Sequence, residues 1–147
     1  MTESTGLPEC LRPFCDLSED RIFARNEVAI AFWDKYPVSA GHALIVPRRH
    51  IPNWFDATEP EQCALVAMIN AAKPIIDQRH RPDGYNIGIN IGAAAGQTVF
   101  HLHIHVIPRF VGDVKDPRGG VRYVIPAKAN YMCGSGSGSM PGHGTAV

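Results

Sequence analysis

The chain has 147 residues, 45% hydrophobic and 19% charged, the composition of one folded domain and not of a disordered chain. Fourteen Lys/Arg balance fourteen Asp/Glu, so bulk electrostatics favour neither nucleic acid nor an acidic membrane surface, and an anionic ligand must be held locally. No apolar run can span a bilayer, the first residues lack a signal-peptide core, and the four scattered cysteines predict reduced thiols in a cytoplasmic protein.

Residues 1–15 read as a loosely structured arm, broken by Gly6, Pro8 and Pro13. Ser18-Glu19-Asp20 caps a short turn into a strand at 21–24, and Asn26-Glu27 turns the chain into a second strand at 28–33. A loop over 34–41 leads to a third strand at 42–47, whose apolar centre predicts burial on both faces. Thr58-Glu59-Pro60-Glu61 has the form of a capping box. It opens a helix from 59 to about 79, with Leu65, Met68, Ile69, Ala72 and Ile76 as its core stripe. Pro74 cannot donate to the carbonyl of Asn70 and is expected to kink or divide that helix. A fourth strand follows at 85–91, with Tyr85, Ile87, Ile89 and Ile91 on one face and Asn86, Gly88 and Asn90 on the other.

Across the tight loop at 92–96 the apolar and polar positions alternate again, and three of the polar ones are histidines: His101, His103 and His105. On a strand all three point to one side; on a helix they could not share a narrow face. Pro108 suits the strand's end. Residues 111–132 look ordered but less regular, and 133–147 is a flexible Gly/Ser-rich tail, leaving 1–132 as a single domain. Strands on both sides of one long helix point to an antiparallel α+β sandwich. Three chemistries suit the histidine row: metal ligation, a nucleophile flanked by donors, or packing with satisfied hydrogen bonds.

The run His101-Leu102-His103-Ile104-His105-Val106-Ile107 resembles the signature of the histidine triad (HIT) superfamily of nucleotidyl hydrolases and transferases. Gly96-Gln97-Thr98 looks like that family's Gly-Gln-Ser/Thr, and residues 41–51 resemble its upstream Gly-His block. The likeness runs from about Cys15 to Arg109. It implies a HIT-like fold, α+β, with an antiparallel sheet of about five strands, one long helix and one short one.

For function, the resemblance implies a nucleotide phosphohydrolase acting on dinucleoside polyphosphates or similar conjugates through a covalent nucleotidyl-histidine, releasing a nucleoside monophosphate. His103 is then the nucleophile and His105 the phosphoryl donor, with His101 in support and Gln97 and Thr98 as neutral donors. Asp34 holds the ribose hydroxyls, Asn90 and Gly96 line the phosphate site, and His42 stands behind the triad. Ile22, Phe32 and Ile45 are candidates for a base slot. Arg109, Arg118 and Arg122 are candidates to meet distal phosphates.

The covalent step requires no cofactor, although magnesium can accompany the substrate. Many family members carry an N-terminal Cys-x-x-Cys that binds zinc, but here Arg12 stands where the first cysteine is expected. The candidate ligands of a structural zinc are Cys10, Cys15, His50 and His101. The resemblance also implies a homodimer. Competing readings are a nucleoside phosphoramidate hydrolase, a nucleotide-binding interaction module, and a metal-dependent hydrolase ligated by His101, His103 and His105.

Overall fold

The structure, a computed structural model, describes residues 14–132. Cys10, nearly all of the expected arm, the expected Gly/Ser tail, Cys133 and His143 lie outside them. Five strands form one antiparallel sheet in the order β1-β2-β3-β5-β4: β1 Ile22–Arg25, β2 Ala29–Trp33, β3 Ala43–Pro47, β4 Gly84–Gly88 and β5 Ile104–Arg109. The long helix α1 spans Glu59–His80. With the short helix α2, Pro126–Ala129, this matches the expected fold class.

Each element has a local cause. The side-chain oxygen of Asn26 accepts from the backbone N–H groups of Val28 and Ala29, closing the turn that pairs β1 with β2. Thr58 and Glu61 make the reciprocal capping box that starts α1. The helix ends at Arg81, whose backbone is left-handed, and its N–H donates to the carbonyl of Asp77. Of the two expected outcomes at Pro74, a kink or a division, the division does not occur, and α1 continues through it as one helix. Pro74 is exposed, so the carbonyl of Asn70 it cannot reach stays open to water.

Side-chain alternation sorts the sheet into two faces. Ala29, Ala31, Ala43, Ile45, Ile104 and Val106 meet Leu65, Met68, Ala72 and Ile76 of α1 in the main core. Burying side chains of this size contributes about 1.5–3 kcal/mol each for the larger ones. Phe32, Leu44 and Val46 point the other way and pack with Phe14, Leu17, Ile22 and Ile30. β3 is therefore buried on both faces, as its composition predicts. Cys63 is exposed, since it sits off the Leu65/Met68/Ala72 stripe. His80 is half-buried; its ring meets Trp33 edge-on and packs on Gly41, where a Cβ would come within 2.6 Å of it.

The histidine strand starts later than its alternation suggests. Ladder pairing of β5 with β3 begins at Ile104, opposite Ile45, and His101 and His103 precede it. Pro47 has no N–H to give a longer ladder, and its carbonyl accepts from the His101 ring at 2.9 Å. The His101 carbonyl in turn takes the His103 ring. β4 likewise stops at Gly88, short of Asn90.

The chain divides into two units, Met1–Asp113 and Val114–Val147. In the second, Asp116 pairs with Arg118 and accepts from Asn130, while Arg122 donates to the carbonyls of Lys128 and Ala129. None of the helices among the described residues is long and apolar enough to cross a membrane.

Candidate active site

His103 is the residue whose surroundings are most sharply specified. Its Nδ1 lies 2.8 Å from the carbonyl oxygen of His101. A carbonyl can only accept, so Nδ1 carries the proton and the neutral ring presents a bare Nε2 lone pair. Phe14 packs edge-on against the ring at 5.1 Å between centroids, and His105 does so from another side at 5.1 Å. The result is a buried imidazole with one anchored nitrogen and one free to attack or ligate.

His105 begins the part of the row that belongs to β5. It lies opposite Leu44 on β3 and Gly88 on β4, on the face turned away from α1. Its Nδ1 is 3.0 Å from Nε2 of His42, a ring only 3% exposed. Asp34 completes this cluster: one carboxylate oxygen accepts from the Tyr36 backbone at 2.9 Å, and the other lies 3.5 Å from His42 Nε2. Burial, reinforced by the neighbouring His103 and His42 rings, pushes His105 down to about 4, so it is neutral near pH 7. His42 is also lowered, by burial first, with the Asp34 carboxylate opposing.

His101 has a different set of partners from His105. Nε2–H donates to the Pro47 carbonyl, which leaves Nδ1 as a lone pair. That nitrogen is 3.2 Å from His50 Nδ1 and 3.7 Å from Cys15 Sγ, and His50 Nδ1 is also 3.7 Å from the sulfur. Burial lowers the His101 pKa, partly opposed by the Pro47 carbonyl, and so keeps the ring in its ligating form. Tetrahedral zinc bonds of about 2.05 Å to nitrogen and 2.3 Å to sulfur would set N–N at about 3.35 Å and N–S at about 3.55 Å. The three donors and the outer hydrogen bond to Pro47 therefore fit a zinc ion. Of the four expected ligands, the structure brings Cys15, His50 and His101 together, and Cys10 lies outside the described residues.

Gln97, expected as a donor to phosphate, is 4% exposed, and its side chain is engaged by the chain itself. Its amide N–H groups donate to the carbonyls of Pro52 at 2.7 Å and Val99 at 3.1 Å, and its oxygen accepts from Gly92 N–H. It braces the loop that enters the histidine row. Gly96 has φ +88°, a conformation that favours glycine, and Thr98 beside it is exposed. Asn90 is half-buried beyond the end of β4, where continuing the register would set it across from His103. Ile22 and Phe32 share the histidine face, whereas Ile45 lies on the helix face and is no part of a slot with them. Arg109 is held by Asp113 and Asn86, Arg118 by Asp116, and Arg122 by two backbone carbonyls. Sequence reasoning missed Phe14 against His103, although Phe14 directly precedes the candidate zinc ligand Cys15.

Comparison with known proteins agrees with the geometry. A HIT domain model matches residues 17–112. The chain is 35% identical over 108 residues to AP-4-A phosphorylase of Mycobacterium tuberculosis, covering 69% of this chain and 55% of that protein. It is 34% identical over 96 residues to the asymmetrical bis(5'-nucleosyl)-tetraphosphatase of Schizosaccharomyces pombe, covering 65% and 53%. A crystal structure of a hypothetical histidine triad nucleotide-binding protein from Sulfolobus tokodaii superposes with TM-score 0.60 at 37% identity, covering 63% of this chain and 62% of that one. The chain thus spans little more than half the length of the two named enzymes. With the family model covering the sheet, α1 and all three histidines, the chain belongs to the HIT domain family.

Proposed function

We propose that this protein is a nucleotide phosphohydrolase that cleaves dinucleoside polyphosphates or similar nucleotide conjugates through a nucleotidyl group carried on His103. The observation that carries this reading is the Nδ1–H anchor of His103 on the His101 carbonyl at 2.8 Å, which leaves Nε2 as the nucleophile. In the first step the Nε2 lone pair attacks the α-phosphorus, and the bond to the leaving polyphosphate oxygen breaks. Water then attacks the same phosphorus, the N–P bond breaks, and a nucleoside monophosphate leaves. His105 supplies an N–H to the phosphoryl or bridging oxygen, where negative charge grows.

Thr98, Asn90 and the backbone at Gly96 flank the phosphoryl group in this reading, and Asp34 accepts from the ribose hydroxyls. Gln97 acts by bracing the loop that carries Thr98. Zinc at Cys15, His50 and His101 supports structure and stays outside the reaction, whereas magnesium accompanies the polyphosphate. The protein is a homodimer in this reading; β4 is an edge strand with Ile87 44% exposed, which supports a further interface there. The relatives named above support a dinucleotide substrate, and the phosphorylase among them makes inorganic phosphate the alternative second acceptor.

The test is incubation with α-labelled diadenosine tetraphosphate and with adenosine phosphoramidate, with and without inorganic phosphate, followed by an alkaline quench. The expected result is faster release of labelled AMP from the tetraphosphate and alkali-stable label on the protein. Preference for the phosphoramidate would move the assignment to that substrate class. Nucleotide binding with no turnover of either compound would leave an interaction module.

A further inference from the structure

Two histidine clusters flank His103, and both gather three potential metal ligands within a few ångströms: Cys15 with His50 and His101, and Asp34 with His42 and His105. Their outer hydrogen bonds distinguish them. In the first, the outer partner of His101 is the Pro47 carbonyl, an acceptor, which leaves the inward nitrogen bare. In the second, the outer partner of His42 is the backbone N–H of Val38, which donates to Nδ1 at 3.2 Å. With Nδ1 already accepting, the proton of neutral His42 must sit on Nε2, the inward nitrogen. A metal ion on Nε2 would need that proton moved to Nδ1, against the Val38 N–H. The second cluster is therefore built to pass a proton donor inward.

That Nε2–H points at His105 Nδ1, 3.0 Å away, so His105 accepts there and must carry its own proton on Nε2. An Asp34 carboxylate oxygen lies 3.5 Å from the same nitrogen, where a proton on Nε2 is electrostatically favoured. Each link is well shielded: His42 is buried and the Asp34 side chain is 14% exposed. Ser39, in the same loop as Val38, donates its hydroxyl to the Pro108 carbonyl at 2.7 Å, which ties the loop to the end of β5.

We propose that His42 is a positioning residue which, oriented by the backbone N–H of Val38, holds His105 as the Nε2–H tautomer so that its proton faces the phosphoryl group. This rests on the reading that His105 serves that group. The loop at 34–41 is thereby part of the site, because a backbone amide within it sets the direction in which a β5 side chain donates.

The experiment is performed on the full chain with ¹⁵N-labelled histidine. In the wild type at neutral pH, a scalar coupling across the hydrogen bond should link the His42 Nε2 proton to His105 Nδ1. A proton found on His42 Nδ1 or on His105 Nδ1 overturns the proposal. Kinetics supply the second arm. His42→Leu should lower kcat 10- to 100-fold with KM changed less than about threefold. His42→Gln, which keeps an N–H near the Nε2 position, should recover most of that loss. A glutamine variant as slow as the leucine variant contradicts the proposal even if both fold. Absence of any nucleotide turnover would remove the proposed function yet leave the coupling measurement intact, so the two failures are distinguishable.

Discussion

Replacing His50 by alanine should abolish tight zinc binding. The magnitude follows from the donor separations. Cys15, His50 and His101 stand at 3.2, 3.7 and 3.7 Å from one another. Each lies within about 0.2 Å of the spacing expected around tetrahedral zinc. Little rearrangement is then needed on binding, and the outer bond of His101 to Pro47 already fixes the ring. Altering an outer partner alone typically costs 10- to 100-fold in affinity. Losing a direct ligand should cost at least about 100-fold, or about 2.7 kcal/mol. The assay is zinc content after purification, followed by competition with a chromophoric chelator. The wild type should hold one zinc per chain, and His50→Ala should lose it to the chelator at concentrations the wild type withstands. A wild type that holds no zinc, or holds it no tighter than His50→Ala, would refute the ligand assignment.

Other outcomes follow from the same geometry. Thr58→Ala removes half of the capping box and should lower stability by about 1 kcal/mol in urea denaturation; an unchanged midpoint would mean that Pro60 and Glu59 start α1 without it. Stability should also fall between pH 7 and pH 5. His105 titrates at about 4 when folded but near 6.5 when unfolded, so in that window the unfolded chain binds more protons. The stabilisation is complete above the unfolded value and is lost as pH falls towards the folded one; His42, lowered as well, acts with the same sign. Glu61 and Asp116, each held at about 2 by an arginine partner, lose their contribution only at lower pH, which isolates the histidines. A urea midpoint that does not move between pH 7 and pH 5 would contradict the lowered values.

Much of the fold was legible because its signals are local. The capping box, the Leu65/Met68/Ala72/Ile76 stripe and the doubly buried β3 all lie in short windows of sequence, and the structure reproduces them. What could not be read depends on distant partners. Alternation alone makes His101 a strand residue, but Pro47, 54 positions away, takes its ring proton and ends the ladder. Gln97 looks like a free donor until the Pro52 and Val99 carbonyls and the Gly92 amide are placed around it. The residue types at 34, 42, 50, 101, 103 and 105 mark a site. Which of them donate, accept or ligate is set by backbone groups at Val38, Pro47 and His101, which have no side-chain signature.

The central claim is that His103 attacks phosphorus and carries the nucleotidyl group before water does. The stereochemical course at phosphorus tests it most directly, using a substrate made chiral at the α-phosphorus with sulfur and hydrolysed in ¹⁸O-labelled water. Two successive displacements each invert, so the account predicts overall retention in the nucleoside phosphorothioate. Net inversion would mean that water attacks in one step, and His103 would then have another role.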